Sequence, residues 1–180
     1  LGRSRERSEG RKNLMRTIYV IIDPLITDES SWEAHVASML HGYVEASGIT
    51  DTEVKQYTDL QTIKDLFING VIKPVDKFIF PNAWTSMTNY VRHWSENYQT
   101  PVEMIGFWSR GCYLNQDSEY RPLNDRNWRK VYERSNFRCL NKSFFISEFH
   151  KEQFRIYVSK FVFPERLNVM PFPLEYLSLD

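Results

Sequence analysis

The chain has 180 residues, 42% of them hydrophobic and 15% aromatic, and its 23 basic residues balance 23 acidic ones. This size and apolar content suit one domain with a substantial core. The zero net charge argues against a globally basic nucleic-acid-binding protein, although it allows a local basic patch. Two cysteines, Cys112 and Cys139, are too few for a disulfide framework or a cysteine-based metal site.

The two ends of the chain differ from its body. Residues 1–14 carry five basic side chains and almost no apolar ones, so they cannot bury enough surface to order themselves. We interpret them as a basic arm or an expression remnant, because Met15 stands directly before the first apolar run. We predict a single domain over residues 15–177 and a short tail over 178–180. No apolar run reaches the roughly 18–20 residues of a membrane span, and no secretory signal is present. We therefore expect a cytoplasmic protein without membrane contact.

Five short apolar runs and one more polar segment, residues 53–57, predict six strands. The first is continuously apolar and β-branched, which is typical of a strand buried on both faces of a parallel sheet. The six predicted strands cover residues 17–22, 53–57, 77–81, 102–107, 143–147 and 167–173.

Five helices are predicted between these strands. The first begins at a capping box made by Ser30 and Glu33, and Gly48 ends it. The other four show apolar residues at helical spacing, beginning near residues 59, 85, 127 and 148. Strict alternation of strand and helix with right-handed crossovers predicts a doubly wound, mainly parallel six-stranded sheet of Rossmann-like form.

Several common sites are missing from the sequence. The loop after the first strand has no glycine, so it offers neither a dinucleotide fingerprint nor a phosphate-binding loop. No Gly-x-Ser-x-Gly elbow of a serine hydrolase occurs. The four histidines include no i, i+4 pair, and we expect no metal site. They are His35, His41, His93 and His150.

Ligands of open α/β sheets bind outside the carboxyl ends of the strands, so the loops after the strands hold the candidates. Asn82 and Trp84 follow the third strand. They make either a polar and stacking platform for a ligand, or a helix cap and a packed indole. Ser147, Glu148, His150 and Lys151 follow the fifth strand. They suit an ordinary helix start, but the free amides there also suit a phosphate or a sugar hydroxyl.

A long polar loop follows the fourth strand. An arginine beside a glycine and between two aromatic rings could hold an anion and stack a base or a sugar. The alternative is a structural loop in which the arginine pairs with Asp117 or Glu119. The candidate ligand-binding residues of this loop are Trp108, Arg110, Gly111 and Tyr113.

The second half of the chain resembles a known family. The resemblance covers residues 101–177 and is to the acceptor-side, N-terminal domain of GT-B glycosyltransferases, of the bacterial, phage and tRNA-queuosine-modifying type. The segments that carry it are residues 106–108 with Gly111 and Tyr113, residues 127–128, 133–135, 144–145 and 147–151, and the exit at 169–176. The sequence departs from the family at Ser109, where a histidine is expected, and it contains no nucleotide-sugar domain.

This resemblance implies the acceptor-binding half of a glycosyltransferase, with a nucleic acid carrying a modified base as the acceptor. Trp84 and Trp108 would stack the acceptor, while Asp117 and Ser109 are the candidates for catalysis. No cofactor is expected on this chain itself. A nucleotide-sugar donor would need a second domain, which either has been truncated from this chain or is supplied by another polypeptide. The alternative is a non-catalytic α/β binding or interaction module that forms homo-oligomers. A third reading is a flavodoxin-like protein that binds a mononucleotide at the same strand ends.

Overall fold

Six strands form the centre of the molecule. The computed structural model describes residues 15–23, 32–109, 111, 126–158 and 164–170. All six strands begin within one residue of the predicted start. The strands are β1 (Arg16–Ile21), β2 (Thr52–Tyr57), β3 (Lys77–Phe80), β4 (Glu103–Trp108), β5 (Lys142–Phe145) and β6 (Leu167–Val169).

Helices connect the strands in the predicted alternation. The Asp59 carboxylate caps α2 by accepting from the backbone nitrogens of Gln61 and Thr62, at 3.2 and 2.8 Å. Arg92 of α3 donates from Nε to the Cys139 carbonyl at 2.9 Å and so caps the last turn of α4. The helices are α1 (Trp32–Ala46), α2 (Leu60–Ile68), α3 (Met87–Asn97), α4 (Arg126–Cys139) and α5 (Glu148–Val158), and a short 3₁₀ helix covers Pro164–Arg166.

The strand order is β2-β1-β3-β4-β5-β6, and every neighbouring pair is parallel. This confirms the predicted doubly wound α/β fold with six strands. β1 lies inside the sheet between β2 and β3, and its register pairs Tyr19 with Phe78 of β3. The chain therefore passes from β1 to one edge, crosses back over β1, and then adds the remaining strands in sequence order.

Different helices pack on the two faces of the sheet. Because side chains of a strand alternate, Tyr19 and Ile21 point to one face of β1, while Val20 and Ile22 point to the other. The first face carries the main core, to which α2, α3, α4 and α5 contribute. The second face carries a smaller cluster, in which Ala37 and Leu40 of α1 pack on β1. Right-handed crossovers explain this, since only the β1–β2 connection runs toward the β2 edge.

This topology fixes where a ligand crevice opens. The connection that follows β1 goes to one face, and the connection that follows β3 goes to the other. Such a reversal between neighbouring strands is a topological switch point, where open α/β sheets bind ligands. The residues placed there are Ile22 and Asp23 after β1, and the segment that begins at Pro81 after β3.

Some sequence predictions lie outside the described residues: the N-terminal segment 1–14, Ser30 of the capping box, residues 171–173 of the sixth strand, and the tail 178–180. Among the residues described, no helix is both long enough and apolar enough to cross a membrane.

Candidate functional site

A rigid turn follows β3. Asn82 is 6% exposed, and its Oδ1 accepts a hydrogen bond from the backbone nitrogen of Trp84 at 3.0 Å. The next residue is fixed to the neighbouring strand, because the Ala83 nitrogen donates to the Phe107 carbonyl at 2.8 Å. Asn82 therefore acts as a turn residue, and it places the Trp84 indole at the carboxyl end of the sheet.

Trp84 is held by α4. Its indole Nε1 donates to Glu133 Oε1 at 3.0 Å, and Glu133 is completely buried. Tyr132 packs edge-on against the same indole, with ring centroids 5.2 Å apart. Trp84 itself is only half-buried, so the indole is fixed in orientation yet keeps part of its surface open.

An arginine lies between two indoles at this point. The Arg129 guanidinium carbon is 5.6 Å from the centroid of Trp84 and 4.9 Å from that of Trp128, both within cation–π range. Trp128 is 58% exposed. Because Arg129 and Glu133 are one helical turn apart, as are Trp128 and Tyr132, a single stretch of α4 supplies all four side chains.

Asp23, which directly follows β1 and is half-buried, completes the set of residues at this point. Burial raises the pKa of Tyr132, hydrogen bonding with Asn136 and Ser86 lowers it, and the Asp23 carboxylate raises it further. We call this set the switch-point cluster; it consists of Asp23, Trp84, Trp128, Arg129, Tyr132 and Glu133.

Buried amides fix α4 against α3 and β3. Asn136 is completely buried; its Nδ2 donates to the Ala83 carbonyl at 3.1 Å, and its Oδ1 accepts from Asn89 Nδ2. Ser135 donates to Asn89 Oδ1. These bonds hold the α4 backbone next to the turn after β3, so that the switch-point cluster is preorganised.

The residues at the end of β4 are mostly buried in the core. Trp108 is 1% exposed, and its ring packs against Phe154 and Phe145 at 4.7 and 6.2 Å. A side chain buried in this way presents no ring face to a ligand, so its placement does not support the predicted stacking role. Its indole Nε1 has no hydrogen-bond partner among the residues described. Ser109 is half-buried and Gly111 is buried.

The start of α5 is a helix cap. Ser147 Oγ accepts from the His150 nitrogen at 3.1 Å, and Lys151 pairs with the exposed Glu148 at 2.5 Å. His150 is 2% exposed and packs edge-on against the Phe145 ring. These contacts match the structural alternative for Ser147, Glu148, His150 and Lys151, and they do not join these residues to the switch-point cluster.

A small apolar groove lies between the ends of β4 and β5. Phe107 and Phe144 form its floor, with ring centroids 5.4 Å apart. Its enclosed volume is about 10 Å³, which is room for about one water. The groove is lined by Phe107, Trp108, Ser109, Phe144, Phe145, Ile146 and Met170.

Three predicted site residues, Arg110, Tyr113 and Asp117, lie outside the described residues. Within the described ranges, no group of three or more histidine, cysteine, aspartate or glutamate side chains is arranged to hold a metal ion. Of the predicted ligand-binding residues, the structure brings Asn82 and Trp84 to the switch point, and it places Trp108, Ser109 and the α5 residues at the neighbouring strand ends.

Sequence reasoning missed most of the switch-point cluster. Asp23 directly follows the first predicted strand, and that position was a usable signal. Arg129, Tyr132 and Glu133 lie in the middle of a helix, where charged and aromatic residues normally face solvent or core. Only the three-dimensional meeting of α4 with the ends of β1 and β3 identifies them.

Comparison of this chain with models of protein families, with curated proteins and with solved structures finds no match.

Proposed function

We propose that this chain is the acceptor-binding half of a glycosyltransferase and that its acceptor is a nucleic acid, held at the switch-point cluster. The observation that carries this proposal is the stack of Trp84, Arg129 and Trp128 at the carboxyl ends of β1 and β3. Indole faces stack nucleobases without regard to sequence, and arginine adds both stacking and phosphate contact.

The charge of α4 supports a polyanionic ligand. The helix contains five basic residues and one acidic residue, Glu133. Glu133 is completely buried and accepts from Trp84, so the negative charge of this helix is turned inward. Arg138 is exposed, and Arg129, Lys130 and Arg134 are partly exposed. The helix therefore carries a local excess of positive charge on a chain whose net charge is zero, and such an excess attracts phosphate backbones.

Transfer of a sugar needs a nucleotide-sugar donor in addition. We propose that a separate domain, on the same polypeptide or on a partner, binds this donor, and that residues 15–177 bind the acceptor. The catalytic roles of Asp117 and Ser109 stay predictions.

The test is calorimetric titration of the full chain with a twelve-nucleotide single strand of mixed sequence and with a panel of nucleotide-sugars. We expect the oligonucleotide to bind, with an affinity that falls as salt rises, and the nucleotide-sugars to give no heat. Trp128→Ala and Arg129→Ala should each weaken oligonucleotide binding by about five- to tenfold. Arg155→Ala is the matched control, because Arg155 is an exposed helical arginine that pairs with Glu152 of its own helix.

Two results would contradict the proposal. One is tight binding of a nucleotide-sugar or a flavin by the chain alone, since that would make it a donor domain or a flavodoxin-like protein. The other is an absence of oligonucleotide binding at low salt.

The groove between β4 and β5 favours a second candidate, an interaction module without catalysis. Ile146 and Met170 are each 36% exposed at its rim, and exposed apolar surface of this kind suits a protein contact. Light scattering of the purified chain tests this: a dimer that becomes monomeric in Ile146→Asp would support the module, and a monomer at high concentration would count against it.

A further inference from the structure

Trp128 is an indole that is fixed in place and mostly open to solvent. It is 58% exposed, whereas Trp84 is half-buried and Trp108 is 1% exposed. The Arg129 guanidinium lies over the Trp128 ring, 4.9 Å from its centroid, and the Tyr132 ring is tilted against it at 6.4 Å. These contacts hold the ring in one orientation, and the ring face turned away from Arg129 supplies the open surface.

Arg129 leaves room for one stacked base at this place. Its guanidinium lies next to both indoles, 5.6 Å from Trp84 and 4.9 Å from Trp128, so a base cannot enter beside both rings without displacing it. Trp84 is also held by its hydrogen bond to Glu133 and by the edge of Tyr132. The outer face of Trp128 is consequently the stacking surface, and one such ring stacks one base.

The neighbours of Trp128 favour a nucleic acid over a purely apolar occupant. Arg129 and Lys130 directly follow it in α4, and Arg138 is exposed further along the helix. The Lys130 ammonium lies 5.3 Å from the Tyr157 ring of α5. A purely apolar surface would desolvate these charges at a cost, whereas a ligand that carries a base and phosphates together matches both the ring and the cations.

A fixed ring of this kind distinguishes paired from unpaired bases. In a duplex each base is stacked between its neighbours, so a protein ring reaches the face of a base only at a helix end or after the base has left the stack. Leaving the stack costs free energy, whereas an unpaired base in a single strand, a loop or a bulge is already available. The open face of Trp128 therefore suits an unpaired base.

We propose that Trp128 is the stacking site for a single unpaired base, and that the chain binds nucleic acid containing such a base in preference to a fully paired duplex. This inference rests on the proposed nucleic-acid acceptor and adds the state of the acceptor. One nucleotide outside the duplex is enough, and the remaining contacts go to phosphates.

The experiment titrates the full chain with three DNA duplexes of equal sequence and length at one salt concentration. One is fully paired, one carries an extra unpaired adenosine at its centre, and one carries an abasic nucleotide at that extra position. We expect the duplex with the unpaired adenine to bind about tenfold more tightly than the fully paired one. The abasic duplex should bind like the paired one, because it has the bulge and its phosphate but no base to stack.

Variants assign this preference to the indole. Trp128→Ala should reduce it to below about twofold, with the affinity for the fully paired duplex nearly unchanged. Tyr43→Ala is the matched control, because Tyr43 is an aromatic side chain of α1 that is 66% exposed, on the opposite side of the sheet from α4. This control should keep the preference, and a preference that survived in Trp128→Ala would overturn the proposal.

Tryptophan fluorescence of the unaltered chain guards against misfolding of a variant. A base stacked on an indole quenches its emission, so the duplex with the unpaired adenine should quench part of the emission of the five tryptophans. The abasic duplex should leave that emission nearly unchanged.

The possible failures separate the two proposals. Equal affinity for the three duplexes would overturn the stacking site while leaving the nucleic-acid acceptor in place. Equal binding of the adenine and abasic bulges would also overturn it, since the bend of a bulged duplex would then be the recognised feature. Failure of the three duplexes and of the single strand to bind would remove the proposed function together with this inference.

Discussion

At the scale of single residues, the buried amide of Asn136 tests the hydrogen bonds that hold α4 in place. It joins α4 to the turn after β3 and to Asn89 of α3. Asn136→Ala should lower the free energy of unfolding by about 2–3 kcal/mol, because it leaves the Ala83 carbonyl and the Asn89 amide without their partner. Urea unfolding followed by circular dichroism measures this change.

Asn97→Ala is the matched control for Asn136→Ala. Asn97 is an exposed amide at the end of α3, in contact with His93 Nε2. Exposed amides exchange their partners for water at little cost, so this variant should stay within about 0.5 kcal/mol of the parent chain. An equal loss of stability in the two variants would mean that Asn136 contributes nothing beyond ordinary helix packing.

Single residues also show what the sequence alone could and could not predict. Trp84 and Trp108 both follow or end apolar strands, and the sequence assigned both to ligand stacking. The structure separates them, because residue 108 points to the helix-covered face of β4, whereas Trp84 stands beyond the end of β3. That difference depends on the residue at which each strand ends, and sequence patterns locate strand ends poorly.

At the scale of elements, the close contact between β4 and the end of α4 depends on Gly106. A β-carbon at this position would lie 3.0 Å from the Ala83 β-carbon and closer still to Leu140 Cδ1. Gly106→Ala should therefore lower stability by about 1–3 kcal/mol through overpacking. Combining it with Leu140→Ala should cost less than the sum of the two single changes, which a double-mutant cycle of unfolding free energies measures.

Gly42 provides the contrasting case. It lies within α1, and a β-carbon there would meet nothing within 4 Å. Gly42→Ala should raise stability by about 0.5–1 kcal/mol, because alanine is the better helix former. If thermal unfolding showed that both glycine substitutions lower the melting temperature alike, steric contact at Gly106 would not be the cause.

Elements were the level at which sequence reasoning worked best. Apolar residues at helical spacing located all five helices, and the six predicted strands all coincide with observed strands, although residues 53–57 of β2 include only two apolar side chains. The register was harder: β4 was predicted to end at Phe107, but Trp108 pairs with Phe145 of β5 and belongs to the strand. A partner strand decides such an ending, and the partner is not visible in a local sequence window.

At the scale of the whole molecule, an ion-pair row crosses three strands. Glu103 of β4 accepts from Lys77 of β3 at 2.6 Å and from Lys142 of β5 at 3.0 Å. The hydrogen bond from Lys77 is the largest cause that lowers the pKa of Glu103 below its ordinary value of 4.5, with Lys142 adding to it and burial opposing it.

The sign of the pH dependence follows from this shift. A carboxylate with a lowered pKa in the folded state stabilises the fold fully above the unfolded value near 4.5, and this contribution disappears as the pH falls through the folded value. Unfolding free energies of the parent chain should thus fall more steeply between pH 5 and pH 3 than those of Glu103→Gln. Glu96→Gln, at an exposed helical position, should follow the parent chain, and identical curves for all three would contradict the role of the ion-pair row.

The alternation of elements was enough to predict a parallel doubly wound sheet, but it could not supply the strand order. No local sequence pattern predicts that the chain crosses from β2 back over β1 to β3. The switch-point cluster depends on that crossing, because it brings Asp23, Trp84 and α4 together from parts of the chain more than forty residues apart. The location of the candidate site was consequently beyond sequence reasoning, even where individual residues were named.

The interior position of β1 also bears on how the backbone opens to solvent. Its amides and carbonyls are bonded on both sides, to β2 and to β3, whereas β2 and β6 each have one neighbour in the sheet. β1 comes first among the strands of the described residues, yet its amides can exchange hydrogen with water only when the β1–β2 or β1–β3 ladder separates. The slowest-exchanging amides should therefore cluster at its buried residues Tyr19 to Ile21, with faster exchange in β6. Protection from exchange would then be greatest in an early strand that is synthesised before either of its neighbours.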